Sequence, residues 1–161
     1  KNKFIKSLEI KNSLIQKFNS YGIEKNRIIL KENIKSKSSA IAMYNQIDIA
    51  LDPFPYNGVT TSHEAILMGV PILTMKGERP HSKMGESLNL NISMKDWIAK
   101  NNDDYIYKAI NFSKDISKLS VLKKELFNNA KNTTSFNSNL FIDEFENEMC
   151  KIWYKFIDSK Y

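Results

Sequence analysis

Three short, mostly apolar runs lie in the first half of this sequence, at residues 27–30, 47–51 and 71–75. Each run contains Ile and Leu and is too short for a helix, which is typical of a strand buried on both faces. Segments with helical periodicity precede and separate these runs. Alternating helices and buried strands predict an α/β fold, a Rossmann-like, doubly wound parallel sheet with helices on both faces.

The helical segments can be bounded from their capping and periodicity signals. A first helix is predicted from Phe4 to Tyr21, where Gly22 stops it, and a second is capped by Ser38 or Ser39 and runs to Tyr44. Further helices are predicted at 60–69, 82–90, 96–99, 103–112, 117–130 and 139–158. No strand is expected after Met75, so the C-terminus should be helical.

The last predicted helix carries a broad apolar stripe at spacings of three and four residues. The stripe consists of Leu140, Phe141, Phe145, Met149, Ile152, Trp153 and Phe156. Its partner is either the body of this domain or a neighbouring domain, because large aromatic faces also mark interfaces. Cys150 lies in the same helix and is expected to fill space in the core.

Composition restricts the class of protein. A chain of 161 residues fits one domain, and all but two of its 24 basic residues are scattered Lys. The exceptions are Arg27 and Arg79, so no arginine cluster favours a nucleic-acid partner. A single cysteine excludes an internal disulfide and indicates a reducing compartment, and no apolar run approaches the roughly 18 residues that span a bilayer. We therefore expect a cytoplasmic protein without a membrane span.

The loop after the second run has features of an anion site. Residues 52–59 contain two prolines and an Asn-Gly pair, so they form a loop at the carboxyl edge of the sheet, where α/β proteins bind ligands. Gly58 leaves room for a ligand near the backbone, and Thr60 and Thr61 begin a helix whose first amides favour a phosphate. Glu64, one turn on, suits ribose hydroxyls. The alternative is that Thr60 and Thr61 are simple helix caps.

Two common nucleotide motifs are missing from the sequence. It contains neither the Gly-x-x-x-x-Gly-Lys-Ser/Thr phosphate loop nor the Gly-x-Gly-x-x-Gly dinucleotide fingerprint. A kinase and an NAD-dependent dehydrogenase are therefore disfavoured. No pair of His or Cys has metal-ligand spacing, and His63 is expected to have a structural role.

The same segment resembles a known family. From Asp48 to Gly77 the sequence reads DIALDPFPYNGVTTSHEAILMGVPILTMKG, and it is similar to the signature of O-linked N-acetylglucosamine transferases, including their bacterial SPINDLY-like members. Residues 77–88, 97–100 and 26–29 and the last helix with Trp153 fit the same family. The resemblance implies the B-type glycosyltransferase fold, with residues 1–161 forming its second, C-terminal nucleotide-sugar-binding domain, incomplete at the N-terminus.

The resemblance also implies a donor, an acceptor and a set of binding residues. The donor is a UDP-sugar, most often UDP-N-acetylglucosamine, and the acceptor is a Ser or Thr of a polypeptide. Thr60 and Thr61 hold the diphosphate, and Glu64 and Lys37 contact the ribose. The residues expected at the nucleotide sugar are Lys37, Asn57, Gly58, Val59, Thr60, Thr61, Glu64 and His81. For His81, a ligand role and a surface role are equally open.

Several further expectations follow from the resemblance. Transfer is inverting and needs no metal or other cofactor, and no catalytic residue is assigned. Ala40 stands where relatives often have a His that packs on the uracil, and Met43 replaces a commonly basic position, so base stacking should be weaker. The chain is expected to lack upstream strands and the N-terminal catalytic half, and to be inactive alone. The alternative function is a degenerate, non-catalytic module for nucleotide binding or protein interaction.

Overall fold

The computed structural model describes residues 7–31 and 36–159, apart from the side chain of Lys37. The chain divides into two compact units, one ending at Met43 and the other beginning at Tyr44. The start of the first predicted helix, at Phe4, lies outside the described residues.

In its described residues, 7–31 and 36–43, the first unit has two α-helices. Helix α1 spans Leu8–Asn19 and helix α2 spans Lys37–Ala42. Gly22, with a φ of 78°, follows α1 at the predicted stop. The prediction that Ser38 or Ser39 caps the second helix was wrong, because the cap is Ser36, whose hydroxyl accepts a hydrogen bond from Ser39 N at 3.1 Å.

The predicted strand at 27–30 is also wrong. A 3-10 turn occupies Lys25–Arg27, and the backbone is extended only from Ile28 (φ −110°, ψ 115°). Within the described residues this stretch pairs with no strand, and Ile29 is 76% exposed. Branched apolar side chains favour an extended backbone locally, but a strand also needs a hydrogen-bonded neighbour.

The second unit contains the sheet. Its three strands, β1 (Ala50–Leu51), β2 (Ile72–Met75) and β3 (Ile98–Ala99), are parallel and lie in the order β1-β2-β3. Ala50 pairs with Ile72, and Met75 pairs with Ala99. The helices are α3 (Thr60–Leu67), α4 (Pro80–Asn91), α5 (Asn102–Lys114), α6 (Ile116–Ala130) and α7 (Ser138–Asp158). The predicted α/β class, with a parallel sheet, flanking helices and a helical C-terminus, is confirmed.

Strand β3 replaces the short helix predicted at 96–99. A 3-10 turn at Lys95–Trp97 leads directly into the strand. Trp97 O, in the turn, accepts from Asn89 Nδ2 at 3.2 Å, and Ala99 O, in the strand, accepts from Lys76 N at 2.8 Å, so both carbonyls bond to groups outside this segment. Sheet pairing thus outweighs the local helical signal.

The core forms around β2, whose four residues are all buried. Helices α3, α4 and α6 supply most of the other apolar side chains. The larger buried members of the core include Ile66, Val70, Ile72, Leu73, Leu88, Trp97, Leu119 and Leu126. Burial of both faces explains why β2 reads as a continuous apolar run.

Helix α7 differs from the other helices of this unit. None of its 21 residues, all of which the structure describes, is buried. Its apolar stripe remains exposed, with Phe145 at 55% and Trp153 at 59%. Cys150 is exposed as well, so its expected place in the core was wrong. Over the described part of the chain, no helix is long and apolar enough to cross a bilayer.

Candidate functional site

The loop at 52–59 leaves β1 and leads directly into α3. Val59 is the N-cap of α3, and its carbonyl accepts hydrogen bonds from Ser62 N at 3.1 Å and His63 N at 3.0 Å. Thr60 and Thr61 are therefore the first two residues of the helix, and no side chain caps it. The alternative in which a threonine hydroxyl caps this helix was wrong, because the N-cap residue is Val59, whose side chain has no hydrogen-bonding group.

The start of α3 is open to solvent. Val59 is 47% exposed, and Thr60 and Thr61 are also exposed. Within the described residues, the N–H groups of Thr60 and Thr61 find no hydrogen-bond acceptor. These amides point along the positive end of the helix dipole, so the turn has the chemistry of an anion site.

Asn57 fastens the loop to α4 rather than facing outward. Its backbone N donates to His81 O at 3.1 Å, its Nδ2 donates to Pro53 O at 3.1 Å, and its Oδ1 accepts from Gly85 N at 3.4 Å. The residue is only 2% exposed. Asn57 was expected at the nucleotide sugar, but its backbone N–H is engaged within the protein.

Gly58 is also hydrogen-bonded to a buried side chain of the protein. Its N–H donates to Asp52 Oδ1 at 2.8 Å. A Cβ at this position would lie 2.5 Å from Ser62 Oγ and 2.9 Å from Thr61 Oγ1. The need for glycine is therefore explained by packing within the protein, whereas the sequence had suggested close approach of a ligand.

Asp52 is the residue that sequence reasoning missed. Its carboxylate is buried, and Oδ2 accepts a hydrogen bond from the Thr74 hydroxyl at 2.8 Å. Burial raises the pKa of Asp52 above its ordinary value, while the hydrogen bonds from Gly58 and Thr74 oppose that rise. The available signal was an acidic residue directly after a buried strand, at the edge where sites form.

Tyr44 braces the first turns of α3. Its hydroxyl lies 3.1 Å from Thr61 O and 3.3 Å from Glu64 Oε2. Burial, and then the neighbouring Glu64 carboxylate, raise the pKa of Tyr44. Glu64 lies one turn beyond the helix start and is half-buried. In the sequence, Tyr44 looked like an apolar residue of the preceding helix, so this brace could not be predicted.

The two histidines have different surroundings. His63 Nδ1 lies 2.8 Å from Val59 O, and its ring packs on Phe136 at a centroid distance of 5.3 Å, which agrees with a structural role. His81 is half-exposed in the first turn of α4, where its ring stacks on Tyr56 at 5.9 Å. His81 therefore adjoins the loop through both its carbonyl and its ring.

The predicted residues are thus brought together in part. Asn57, Gly58, Val59, Thr60, Thr61, Glu64 and His81 surround one loop and the start of one helix. Lys37 begins α2 in the first unit, and its side chain lies outside the described atoms. Among the residues that the structure describes, no cluster of three or more His, Cys, Asp or Glu side chains could hold a metal ion.

Comparison with known proteins shows which family this chain is similar to. Residues 8–145 match the family described as Glycosyl transferase family 41. A protein of Eustoma exaltatum subsp. russellianum, named as a probable UDP-N-acetylglucosamine–peptide N-acetylglucosaminyltransferase SPINDLY, is 29% identical over 147 residues. Its namesake from Hordeum vulgare is 31% identical over 152 residues. These matches cover 91% and 92% of this chain but only 16% of each relative, so the chain spans about a sixth of their length.

A solved structure extends the likeness to three dimensions. A mutant of the Thermobaculum terrenum O-GlcNAc transferase superposes with a TM-score of 0.80 at 26% sequence identity. The match covers 92% of this chain and 28% of that protein. The fold of almost the whole chain is therefore also found within a larger transferase.

Proposed function

Because the chain belongs to glycosyl transferase family 41, we propose that the start of α3 binds the diphosphate of a nucleotide-sugar donor. The proposed donor is UDP-N-acetylglucosamine, and the proposed reaction transfers its sugar to a Ser or Thr of a polypeptide. The names of the relatives support this choice, since they specify UDP-N-acetylglucosamine and a peptide. The chain contributes the nucleotide-binding part of such an enzyme.

One observation carries the proposal: the start of α3 combines exposed threonines with amides that have no hydrogen-bond acceptor in the described part of the chain. Thr60 and Thr61 occupy the first helical turn, at the carboxyl edge of the parallel sheet. An anion there accepts hydrogen bonds from amides that have no acceptor within the described residues and gains from the helix dipole. Both threonine hydroxyls can donate to the same phosphate oxygens.

The rest of the nucleotide is assigned to residues around this turn. Glu64 accepts hydrogen bonds from ribose hydroxyls, and the ribose role of Lys37 stays a prediction from the family resemblance. Tyr44 keeps Glu64 in place through its hydrogen bond of 3.3 Å to Oε2. With Ala40 at the position expected to stack on the base, we propose that phosphate and ribose contacts supply most of the affinity.

The proposed chemistry is a direct, inverting displacement. The acceptor hydroxyl attacks the anomeric carbon on the face opposite the diphosphate, the bond from that carbon to the phosphate oxygen breaks, UDP leaves, and the hydroxyl proton passes to the departing diphosphate or to solvent. The amides of Thr60 and Thr61 stabilise the negative charge that develops on the departing phosphate. No metal is required in this proposal, and the single cysteine of the chain fits a cytoplasmic enzyme.

Calorimetric titration of the protein with UDP tests the site. Replacing Thr60 and Thr61 together with Val keeps the side-chain shape but removes both hydroxyls, and we expect affinity to fall about tenfold or more, because hydrogen bonds to charged groups contribute about 1.5–3 kcal/mol each. Thr133→Val is the control, since its hydroxyl binds Ala130 O at 2.7 Å outside the loop. Unchanged affinity in the double variant would refute the site.

A second candidate function rests on the exposed stripe of α7. An aromatic face of this length is typical of an interface, so the chain would act as a non-catalytic interaction module. Lack of UDP binding, together with association that is lost when Phe145 and Trp153 are replaced by Gln, would favour this function. UDP binding that survives both replacements favours the transferase.

A further inference from the structure

We propose that Asp52 is a positioning residue for the donor diphosphate, an inference that rests on the proposed function. Its carboxylate makes two hydrogen bonds, one oxygen accepting from Gly58 N and the other from the Thr74 hydroxyl, each at 2.8 Å. The side chain therefore links the last residues before α3 to the central strand β2. It determines where the first amides of α3 point without itself contacting the donor.

The surroundings of Asp52 leave it little freedom. Residue 52 is 5% exposed, and Thr74 is fully buried. A Cβ on Gly85 would lie 2.4 Å from Asp52 Oδ2 and 2.1 Å from Thr74 Oγ1, so the carboxylate fits only because α4 has a glycine there. On the other side, the surroundings of Gly58 leave no space for a side chain at that position. The carboxylate is thus clamped between two glycine positions.

The position of the carboxylate, rather than its charge, is what this arrangement requires. A negative charge behind an anion site opposes binding, so Asp52 would weaken the site if it acted through charge alone. Its benefit must come from orienting Gly58 and the amides that follow. Asparagine at residue 52 preserves the shape: its Oδ1 accepts from Gly58 N, and its Nδ2 donates to Thr74, whose hydroxyl can also accept.

The test compares the UDP affinity of Asp52→Asn, which keeps the geometry, with that of Asp52→Ala, which removes it. We expect Asp52→Ala to bind UDP at least tenfold more weakly, because the first amides of α3 are no longer held in position. Asp52→Asn should stay within about threefold of the wild-type affinity, because it keeps them in position. Asn89→Ala is the matched control. Asn89 is fully buried and binds Ile72 O and Trp97 O at the other end of β2, so its loss should lower the melting temperature but leave UDP affinity unchanged.

The possible outcomes separate this inference from the proposed function. If the Thr60 and Thr61 double variant loses UDP binding while Asp52→Ala retains it, the diphosphate site stands and the positioning role is refuted. Equal losses in Asp52→Ala and Asp52→Asn would mean that the shape kept by asparagine is not what UDP binding requires, which also overturns the inference. A wild-type protein that binds no UDP overturns both proposals.

A second measurement applies if Asp52→Ala does not fold, namely hydrogen exchange of the Gly58 amide. Protection of this amide in the wild type and in Asp52→Asn supports the inference, and fast exchange in the wild type refutes it.

Discussion

Tyr105 on α5 donates a hydrogen bond of 3.1 Å from its hydroxyl to the backbone carbonyl of Asp52, just beyond the end of β1. The two residues are 53 positions apart in the chain. Burial, and then the negative charge of Asp52, raise the pKa of Tyr105 to about 12. The bond ties α5 to the start of the loop that leads into the candidate site.

The shifted pKa of Tyr105 predicts a loss of stability at high pH. An unfolded tyrosine releases its proton near the ordinary pKa of 10.0, whereas folded Tyr105 keeps its proton up to about pH 12. Between these values the folded state binds more protons than the unfolded state, so the free energy of unfolding falls as pH rises. Urea denaturation from pH 8 to 12 should show this fall in the wild type and a smaller one in Tyr105→Phe.

A neighbouring tyrosine provides the control for this prediction. Tyr107 lies on the same helix and is 66% exposed. At pH 8 we expect Tyr105→Phe to lose about 1 kcal/mol of stability with its hydrogen bond, and Tyr107→Phe to lose almost none. Equal losses in the two variants would contradict the structural role of the Tyr105 hydroxyl.

Thr74 should control the titration of Asp52. Burial raises the pKa of Asp52 above 3.8, and the Thr74 hydroxyl partly opposes this effect by binding the charged form. Thr74→Val should therefore raise the pKa further, as carbon-detected NMR of the Asp52 carboxyl would show. A raised pKa means that the folded carboxyl keeps its proton to a higher pH than the unfolded one. The contribution of Asp52 to the free energy of unfolding therefore falls as pH rises from 3.8 to the folded pKa and is constant above it. A lower pKa in Thr74→Val would be inconsistent with the hydrogen bond.

Asn89 should contribute more to stability than Asn91 on the same helix. Asn89 Nδ2 donates to Ile72 O and Trp97 O, and all three groups belong to the interior. Asn89→Ala leaves the carbonyls of Ile72 and Trp97 without this donor, and we expect a loss of about 2–3 kcal/mol in thermal or urea unfolding. Asn91 also makes two hydrogen bonds, to Thr134 and Ser135, but it is only half-buried. A smaller loss is expected for Asn91→Ala, and the reverse order would count against burial as the cause.

Local signals in the sequence were enough to predict most helices and the central strand. Strand β2 was predicted because burial on both faces leaves a continuous apolar run, and α3 because an Asn-Gly loop precedes it. Strand β3 was missed because its two residues become a strand only by pairing with Thr74 and Met75, which are more than 20 residues earlier. Pairing between distant segments leaves no local pattern.

In the candidate site, too, local features could be predicted and long-range contacts could not. The loop and the helix start were recognisable from Gly58, Thr60 and Thr61, since turn and helix signals are local. The hydrogen bonds that hold them were not, because Asp52 meets Thr74 across 22 residues and Tyr44 meets Glu64 across 20. Sequence reasoning therefore finds where a ligand is bound more easily than what keeps the site in shape.

Replacing Gly85 with alanine is predicted to lower the stability of the protein. It lies inside α4, where alanine normally gains about 0.8–1.0 kcal/mol in helix propensity over glycine. A Cβ there would meet Thr74 Oγ1 at 2.1 Å and Asp52 Oδ2 at 2.4 Å, so something must shift. We expect Gly85→Ala to destabilise the protein by about 1–3 kcal/mol, as overpacked cores do. Ser87→Ala, exposed on the same helix, is the control, and a stabilised Gly85→Ala variant would disprove the clamp around Asp52.

The apolar stripe of α7 should add little to the stability of this chain. Phe145 and Ile152 are 55% and 61% exposed, so replacing both with Gln removes little buried area, and Gln is a good helix former. We expect urea denaturation to show a change within about 0.5 kcal/mol for each substitution, against about 2–5 kcal/mol for Leu126→Ala in the core, where the side chain is 1% exposed. A loss comparable to that of Leu126→Ala would mean that the stripe is packed against protein in solution. A small loss together with reduced self-association in sedimentation would mean that the stripe is a surface for association and not part of the core.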